Sequence, residues 1–366
     1  MELNEYIDQL PLVDHHCHYL IKNVANRDER LARVSTEADD EYPLFDIKNR
    51  LAYWEFKAEA QKFGSPAIVP WANDAEYSAY NQRLFSHYHF KRLFIDVGFV
   101  PDDAILSLEQ TAAMTQTEVA PILRLETTAE KIMTTSATFD EWWQKLQVAV
   151  KNAKQQGYVG FKSIAAYRFG LKLTDVSRVD AQAAFTQWKN SGVTRLTSST
   201  VISYLVWNLS PLIIATKLPL QFHVGYGDAD TDMYQGNPLL MRDFLNEWSH
   251  QGLKVVLLHC YPYHREAGYL ASVFPNLYFD ISLIDNLGPS AMERVLDEAL
   301  ELAPYSRFLF ASDASTYGEM YAVAAHRFKR ALTRHLTKLD FVPEDQLKNW
   351  AAQICYQTSE RIYLEK

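Results

Sequence analysis

Cysteine is scarce in this chain of 366 residues. Only Cys17, Cys260 and Cys355 are present, and such an odd, widely spaced set argues against a disulfide framework and indicates a reducing, cytoplasmic environment. Long apolar runs are missing as well. No run approaches the ~20 residues that span a bilayer, so we expect no membrane segment. The N-terminus carries acidic residues and no apolar stretch, which predicts no signal peptide.

Positive charge is in deficit. The chain has 36 Lys and Arg against 45 Asp and Glu, a formal net charge of -9. A protein of this charge repels phosphate backbones, so we expect no nucleic-acid partner. Internal repeats and low-complexity tracts are also lacking. Apolar residues make up 48% of the chain, which is enough to form a large core.

Eight short apolar runs are spread along the chain. Most are rich in Val, Ile, Leu or Phe and do not alternate with polar residues, which is typical of strands buried on both faces of a parallel sheet. The predicted strands are Leu12–His16, Leu93–Val97, Pro121–Leu125, Tyr158–Phe161, Leu218–Val224, Val255–His259, Leu277–Ile281 and Phe308–Ala311.

Amphipathic segments that predict helices separate several of these runs. They are Phe139–Gln156, Asn237–Gln251, Pro289–Leu302 and Glu319–Leu339. Strands that alternate with helices along the whole chain predict a parallel α/β fold. Eight strands favour a closed (β/α)8 TIM barrel over an open sheet, so we expect one barrel domain over residues 1–366.

Two connections are longer than a simple crossover needs. Residues 19–91 follow the first predicted strand, and residues 165–217 follow the fourth. We expect both to be insertions at the carboxyl ends of the strands, where barrel active sites are built. The first is rich in aromatic residues, including Tyr53, Trp54 and Phe56. It forms either a lid over the site or a helical core or oligomer contact.

The first predicted strand ends in Asp14-His15-His16-Cys17-His18. Residues i and i+2 of a strand share a face. Asp14, His16 and His18 are therefore expected on one face, with His15 and Cys17 on the other. Two imidazoles on one face at the end of a strand can bind one divalent ion.

Four other predicted strands also end in a single polar residue. Lys162 ends the fourth strand, His223 the fifth, His259 the sixth and Asp313 the eighth. Each has an ordinary explanation on its own, such as a buried hydrogen-bonded histidine or a helix cap. In a barrel, however, the carboxyl ends of all strands converge at one mouth, so their joint occurrence favours a shared site.

The complete pattern resembles the amidohydrolase superfamily. His-x-His on the first strand, Lys on the fourth, His on the fifth and sixth and Asp on the eighth follow the order of that family, and the resemblance covers nearly the full chain. The strings PLVDHHCH, FKSIAAYRFGL and HVGYGDADTDM are more specific. They are similar to TIM-barrel metal-dependent hydrolases related to the amidohydrolase half of FluG-type fusions with glutamine synthetase.

The resemblance implies a role for each strand-end residue. His16, His18 and Asp313 would bind the more buried metal, and His223 would bind this metal or a second one. His259 would be either a ligand of the second metal or a catalytic imidazole near the leaving group. Asp313 would also accept a proton from the attacking water and pass it to the leaving amine. Zinc is the first choice for a nitrogen-rich site with one carboxylate, with iron, manganese and nickel as alternatives.

The resemblance also extends to the surroundings of the site. In binuclear relatives the lysine at the position of Lys162 carries a carbamate that bridges two metals; otherwise Lys162 would bind a substrate carboxylate or pair with an acid. Arg168 would contact a substrate anion, since its planar guanidinium suits a carboxylate, and Tyr167 would line the same pocket. Asp228 would bind substrate or support the site, unless it only serves a turn. Asp14 would orient a neighbouring group.

The function that the resemblance implies is hydrolysis of an amide-type C–N bond, for example a γ-glutamyl amide, in a small carboxylate-bearing substrate. The alternatives on the same barrel are a zinc-dependent decarboxylase and a uronate isomerase. A third alternative is a binding protein without catalytic activity. A single metal with unmodified Lys162 favours decarboxylation, whereas a carbamate and two metals favour hydrolysis. We expect no membrane partner. A homodimer is expected only because dimers are the commonest oligomers.

Overall fold

A computed structural model of the chain describes residues 1–23, 27–65, 71–100 and 104–364. Seven parallel strands form one curled sheet in which each strand pairs with the next in the sequence. The strands β1 to β7 are Leu12–Cys17, Phe90–Asp96, Glu118–Arg124, Gly160–Ser163, Leu220–His223, Val255–Leu258 and Leu277–Phe279. They correspond to the first seven predicted strands, with ends that differ by at most three residues. All residues of β1, β4, β5, β6 and β7 are buried, as the continuous apolar runs indicated.

The predicted eighth strand at Phe308–Ala311 is not a regular strand. Its position in the fold is nevertheless as expected, because it lies between the two edges of the sheet. Leu309 N–H donates to Phe279 O of β7 at 3.0 Å, and His15 N–H of β1 donates to Phe310 O at 3.4 Å. Only one β-bridge forms, between Phe279 and Phe308, because the chain soon turns away from extended geometry at Asp313 (φ 50°).

Helices occupy most of the connections between strands. Helices α1 to α18 of the described residues are Leu3–Gln9, Arg27–Arg33, Leu44–Lys48, Leu51–Lys62, Asp74–His87, Leu108–Thr115, Leu125–Thr134, Phe139–Asn152, Ala165–Arg168, Arg178–Asn190, Ser199–Thr216, Arg242–Trp248, His264–Val273, Ile284–Leu287, Met292–Ala299, Gly318–Thr337, Glu344–Ala352 and Thr358–Leu364. The 3-10 helices are Lys154–Gln156, Pro238–Met241 and Tyr305–Arg307, and Gln353–Gln357 is a π-helix.

The long connection from β1 to β2 contains helices α2 to α5, and residues 24–26 and 66–70 of the predicted insertion 19–91 lie outside the described residues. Tyr53, Phe56, Tyr77 and Tyr80 are almost completely buried. The aromatic residues of this connection therefore pack mainly as core. Helices α9 to α11 occupy the connection from β4 to β5.

Helix α11 bears on the expectation that the chain has no membrane segment. By length and composition alone, Ser199–Thr216 is apolar enough to cross a membrane, although no such segment was predicted. Half of this helix is buried inside the molecule. Core helices meet the same criterion, so one helix of this kind is weak evidence for a membrane span.

The last helix packs under the sheet. Ile362 and Tyr363 of α18 belong to a buried cluster that lies apart from the main core and includes Val13 of β1, Phe94 of β2 and Leu309. These strand residues point to the concave side of the curled sheet. Tyr363 therefore reaches the interior of the sheet from below, which places its hydroxyl group near the strand residues that carry the candidate site.

Candidate metal centre and substrate pocket

The strand ends bring three predicted side chains to one carboxylate. Asp313 Oδ1 lies 3.3 Å from His16 Nε2 and 3.1 Å from His18 Nε2, and Asp313 Oδ2 lies 3.5 Å from His259 Nδ1. Three of these residues, His16, His259 and Asp313, have ligand atoms within 4.8 Å of one another. The geometry therefore permits the shared site that the sequence pattern predicted.

The backbone at two of these positions is unusual. His259 (φ 58°) and Asp313 (φ 50°) both lie in the left-handed region although neither is glycine. Such conformations cost roughly 1–3 kcal/mol each and persist where the surroundings enforce them. Asp14 provides part of that enforcement, since its carboxylate accepts hydrogen bonds from the N–H (3.0 Å) and hydroxyl of Ser312, the residue before Asp313. Asp14 thus contacts the neighbour of Asp313 and also accepts a backbone hydrogen bond from His16.

The predicted alternation along β1 is wrong at His15. The pairing of β1 with β2 shifts register between Asp14 and Cys17, and such a bulge interrupts the alternation of faces. His15 Nδ1 lies 3.1 Å from the Tyr363 hydroxyl on the concave side of the sheet, below His16. Cys17 faces away, as expected, with its Sγ 3.6 Å from Phe94 O.

The contacts of His16 test whether a cation fits here. His16 Nδ1 lies 2.8 Å from Gln221 Oε1, and the Gln221 amide nitrogen donates to His15 O at 2.8 Å. This pattern fixes the amide orientation, so Nδ1 of His16 is the donor and Nε2 holds a lone pair. Burial, together with Lys162, lowers the pKa of His16 to about 4, which keeps the ring neutral.

The lone pair of His16 therefore faces the Asp313 carboxylate across 3.3 Å. Two electron-rich atoms at this distance repel each other unless a cation lies between them. Ligand atoms of one tetrahedral zinc ion, each about 2.1 Å from it, are roughly 3.4 Å apart. The separations from Asp313 to His16 and His18 are close to that value, so this donor set fits a divalent metal.

Lys162 lies beside the same histidine. Its Nζ is 3.5 Å from His16 Nε2, and the side chain is 2% exposed. Burial is the main cause that lowers the pKa of Lys162, to about 8, although Asp96 and Asp313 oppose this shift. A lowered pKa makes the neutral amine accessible, which carbamate formation requires.

His223 lies at the end of β5 but is less directly aimed at Asp313. Its Nε2 donates to Tyr226 O at 3.1 Å, and its ring centroid is 4.9 Å from that of His259 and 4.2 Å from that of Tyr167. His223 is not part of either group of convergent ligand atoms among the described residues. A ligand role for His223 would therefore use Nδ1.

Asp96, at the end of β2, is a candidate that the sequence interpretation missed. It forms a second convergent group with His16 and His18. Arg124 of β3 holds its carboxylate with Nε at 3.0 Å and Nη2 at 2.5 Å. Gly98 leaves room for this arginine, because a Cβ at residue 98 would lie 2.3 Å from Arg124 Cβ. In the sequence, Asp96 is the lone carboxylate inside the apolar run LFIDV, and this was the signal that could have revealed it.

A cavity of about 490 Å³ opens above these residues. His18, Lys162, His223, His259 and Asp313 lie at its base. Its walls include the predicted substrate residues Tyr167, Arg168 and Asp228, together with Arg33, Glu37, Arg124, Arg195 and Asp230, which were not predicted. The cavity therefore places four arginines within reach of one bound molecule.

Arg168 keeps hydrogen-bonding capacity inside this wall. Its Nη2 pairs with Glu130 at 3.1 Å, while its buried Nε and Nη1 have no hydrogen-bond partner in the described part of the chain. Glu37, on the connection after β1, is a nearby carboxyl group. Burial, followed by the negative charges of Asp313 and Asp228, raises the pKa of Glu37 to about 7.

Comparison with known proteins identifies the family. Residues 13–364 match the sequence profile described as Amidohydrolase. The chain belongs to the Amidohydrolase family. The resemblance seen in the sequence is thereby confirmed, and with it an amidohydrolase-type, metal-dependent hydrolase fold.

Two relatives stand out by sequence. The protein fluG of Emericella nidulans is 31% identical over 223 residues, which are 56% of this chain and 25% of fluG, so the match spans about a quarter of that longer protein. A protein of Lactobacillus casei ATCC 334, for which metal-dependent hydrolase activity has been suggested, is 60% identical. Its crystal structure superposes with a TM-score of 0.97 over 99% of this chain and 97% of the other.

A more distant structure supports the fold alone. Uronate isomerase from Thermotoga maritima is 16% identical, with a TM-score of 0.68 over 99% of this chain and 96% of that enzyme. The two proteins therefore share their overall fold.

Proposed function

We propose that this protein hydrolyses an amide-type C–N bond in a small carboxylate-bearing substrate, on a closed (β/α)8 barrel. The observation that carries the proposal is the convergence of His16, His18 and His259 on Asp313, which lies at the base of a cavity whose walls include four arginines. The base supplies a cation site with an adjacent carboxylate. The walls supply partners for a substrate carboxylate.

The residues that would hold the metal are His16, His18 and Asp313, with His223, His259 and Lys162 as candidates for a second ion. When bound, a divalent cation supplies Lewis acidity, which activates water and polarises a carbonyl oxygen. Zinc is the proposed metal because the donor set is rich in nitrogen and includes one carboxylate. A carbamate on Lys162 would add the bridging oxygens that a second ion needs.

The chain's own groups would then handle the proton and the substrate. Asp313 accepts the proton of the attacking water and returns it to the leaving amine, a task that suits a carboxylate held at the point of attack. Arg168, which lines the cavity, binds the substrate carboxylate through its guanidinium group. Tyr167 and Asp228 line the same cavity and limit the space that the substrate can occupy. Asp14 holds Ser312 and thereby the turn that presents Asp313.

The test combines metal analysis with a substrate panel. The full chain loaded with zinc is assayed for amine release from γ-glutamyl amides and N-acyl amino acids, and in parallel for isomerisation of uronates and CO2 release from aromatic acids. We expect amine release from at least one amide. Turnover of a uronate or an aromatic acid, with no amide cleaved, would show that the assigned reaction is wrong.

Asp313→Asn separates the mechanism from the fold. Loss of a proton acceptor should lower kcat by about 10²–10⁴-fold while the melting temperature stays close to that of the unmodified chain. Asp243→Asn, which changes an exposed carboxyl group on α12, is the matched control and should be inert. Full turnover in Asp313→Asn would contradict the proposed role of this carboxylate.

A further inference from the structure

A ring of buried polar side chains lies beneath the site and connects two of its histidines, which face each other across the site with ring centroids 5.2 Å apart. Its members come from β1, β5, the ends of β6 and β7 and the last helix, and each is at most 3% exposed. In order around the ring they are Asp280, Ser282, His259, then across the site His16, Gln221, Tyr363 and His15. The family match assigns no role to Asp280, Ser282, Gln221 or Tyr363.

One branch of the ring runs from Asp280 to His259. Asp280 Oδ1 accepts three hydrogen bonds, from His259 N–H at 2.9 Å, Ser282 N–H at 2.8 Å and the Ser282 hydroxyl at 2.6 Å. The only proton of that hydroxyl is thus committed to Asp280. Ser282 Oγ is also 2.6 Å from His259 Nδ1. Nδ1 must therefore carry the proton and donate it, so its 3.5 Å contact with Asp313 Oδ2 is that of a donor, and the His259 lone pair that could bind a metal is on Nε2.

The other branch runs from Asp280 to His16. His15 Nε2 lies 3.0 Å from Asp280 Oδ2, an ion-pair contact that does not meet the angles of a hydrogen bond. The short distance favours a proton on Nε2, because two acceptors would repel each other. His15 Nδ1 is then the acceptor for the Tyr363 hydroxyl at 3.1 Å. The Tyr363 oxygen in turn accepts from the Gln221 amide nitrogen at 2.8 Å. The amide oxygen remains for His16 Nδ1–H.

All donors along both branches point back toward the same carboxylate. We propose that Asp280 is a positioning residue that fixes the Nδ1–H tautomer and ring orientation of His259 through Ser282 and of His16 through His15, Tyr363 and Gln221. This role rests on the proposed metal site, since its purpose is to present lone pairs to a cation. One acidic group would thus set two histidines, one from β1 and the other from the end of β6.

The ring can be broken at one branch at a time. Ser282→Ala removes only the hydroxyl that connects Asp280 to His259. Tyr363→Phe removes only the hydroxyl between His15 and Gln221, and Gln221→Leu removes the acceptor for His16. Asp280→Asn disturbs both branches. Ser210→Ala is a matched control, because Ser210 is equally buried but its hydroxyl donates to Val206 O within α11.

The first measurement is nitrogen-15 NMR of imidazole-labelled full chain after chelation of metals. We expect the signals of His16 and His259 in the unmodified chain to show the Nδ1–H tautomer. Ser282→Ala should change the tautomer population of His259 alone, Tyr363→Phe and Gln221→Leu that of His16 alone, and Asp280→Asn both. Ser210→Ala should change neither.

The second measurement is zinc affinity by competition with a chelator. Loss of the group that accepts a hydrogen bond from a metal-binding histidine typically weakens metal binding 10–100-fold. We expect a loss of zinc affinity of this size in each ring variant. Unchanged tautomers in Ser282→Ala and Tyr363→Phe would overturn the inference. Because these two variants delete only an oxygen atom, they remain informative if Asp280→Asn does not fold. Tautomers that change as expected in a chain that binds no zinc would support the ring while refuting the proposed function.

Discussion

The ion pair between Arg124 and Asp96 gives the sharpest prediction of stability. Asp96 is completely buried, and Arg124 pairs with it through both Nε and Nη2. Arg124→Leu keeps apolar bulk but leaves a buried carboxyl group without its partner. Breaking a buried pair on one side costs about 3–5 kcal/mol. With an unfolding entropy of roughly 2.1 cal/mol/K per residue, a chain of 366 residues should lose roughly 4–6 °C in melting temperature.

The pH dependence of stability should change as well. In the unmodified chain burial raises the pKa of Asp96, but Arg124, followed by His18 and His16, holds it well below the ordinary value. The ionised pair therefore stabilises the fold above about pH 4, and this contribution is lost as pH falls. Without Arg124 burial prevails and the pKa rises above 3.8. The folded state then binds more protons than the unfolded state, so stability should fall as pH rises through the range above 4.

Urea denaturation with a chelator present measures both effects, because bound metal would otherwise add its own stabilisation. The matched control is Asp96→Asn in the Arg124→Leu background, which removes the unpaired charge. We expect the double variant to regain most of the lost stability and to lose the altered pH dependence. A free energy of unfolding in Arg124→Leu within 1 kcal/mol of the unmodified chain, or no recovery in the double variant, would refute the assigned role of this pair.

Two further predictions concern the cavity walls. Arg168→Met should raise KM for a carboxylate-bearing substrate about 10–100-fold, with a smaller change in kcat. This factor corresponds to the loss of a charged hydrogen bond of about 1.5–3 kcal/mol. An equal rise in KM for an analogue without the carboxylate would contradict this role. In the unmodified chain kcat/KM should change near pH 7, because burial raises the pKa of Glu37 to about 7 and its negative charge appears only above that pH. Glu37→Gln should abolish this change. With a cationic substrate the unmodified chain should gain kcat/KM as pH rises through 7. The same inflection in both proteins would show that another group titrates.

The strand ends were predictable because their signal is local. An apolar run buried on both faces accommodates a polar residue most readily at the carboxyl end of the strand, where parallel α/β folds build their sites. His223 and His259 could therefore be placed from their own neighbours in sequence. The strict alternation at His15 failed because a bulge depends on the register with β2, which the β1 sequence does not contain. The eighth strand likewise lost regularity through the left-handed turn at Asp313.

Asp96, Arg124 and Gln221 were missed for a related reason. Each is a single polar residue inside an apolar run, and each finds its partner on another strand, so only the register shows that the partner exists. Arg124 is 28 residues from Asp96, and Gln221 is 205 residues from His16. The signal was present as an unexplained polar residue in the runs LFIDV, PILRL and LPLQFHV. Each such residue needs a buried partner, which is a reason to search for one.

Tyr363 has a consequence for the biosynthesis of the protein. Synthesis proceeds from the N-terminus at about 5–20 residues per second, and Tyr363 follows every strand in the sequence. Ribosome-bound chains that stop short of α18 can carry all the strand-end histidines, yet the hydrogen-bonded ring beneath them lacks a member. A nascent chain would therefore acquire its final arrangement of His16 only after this last helix has docked. Premature metal capture by unfinished protein would be disfavoured by the same contact.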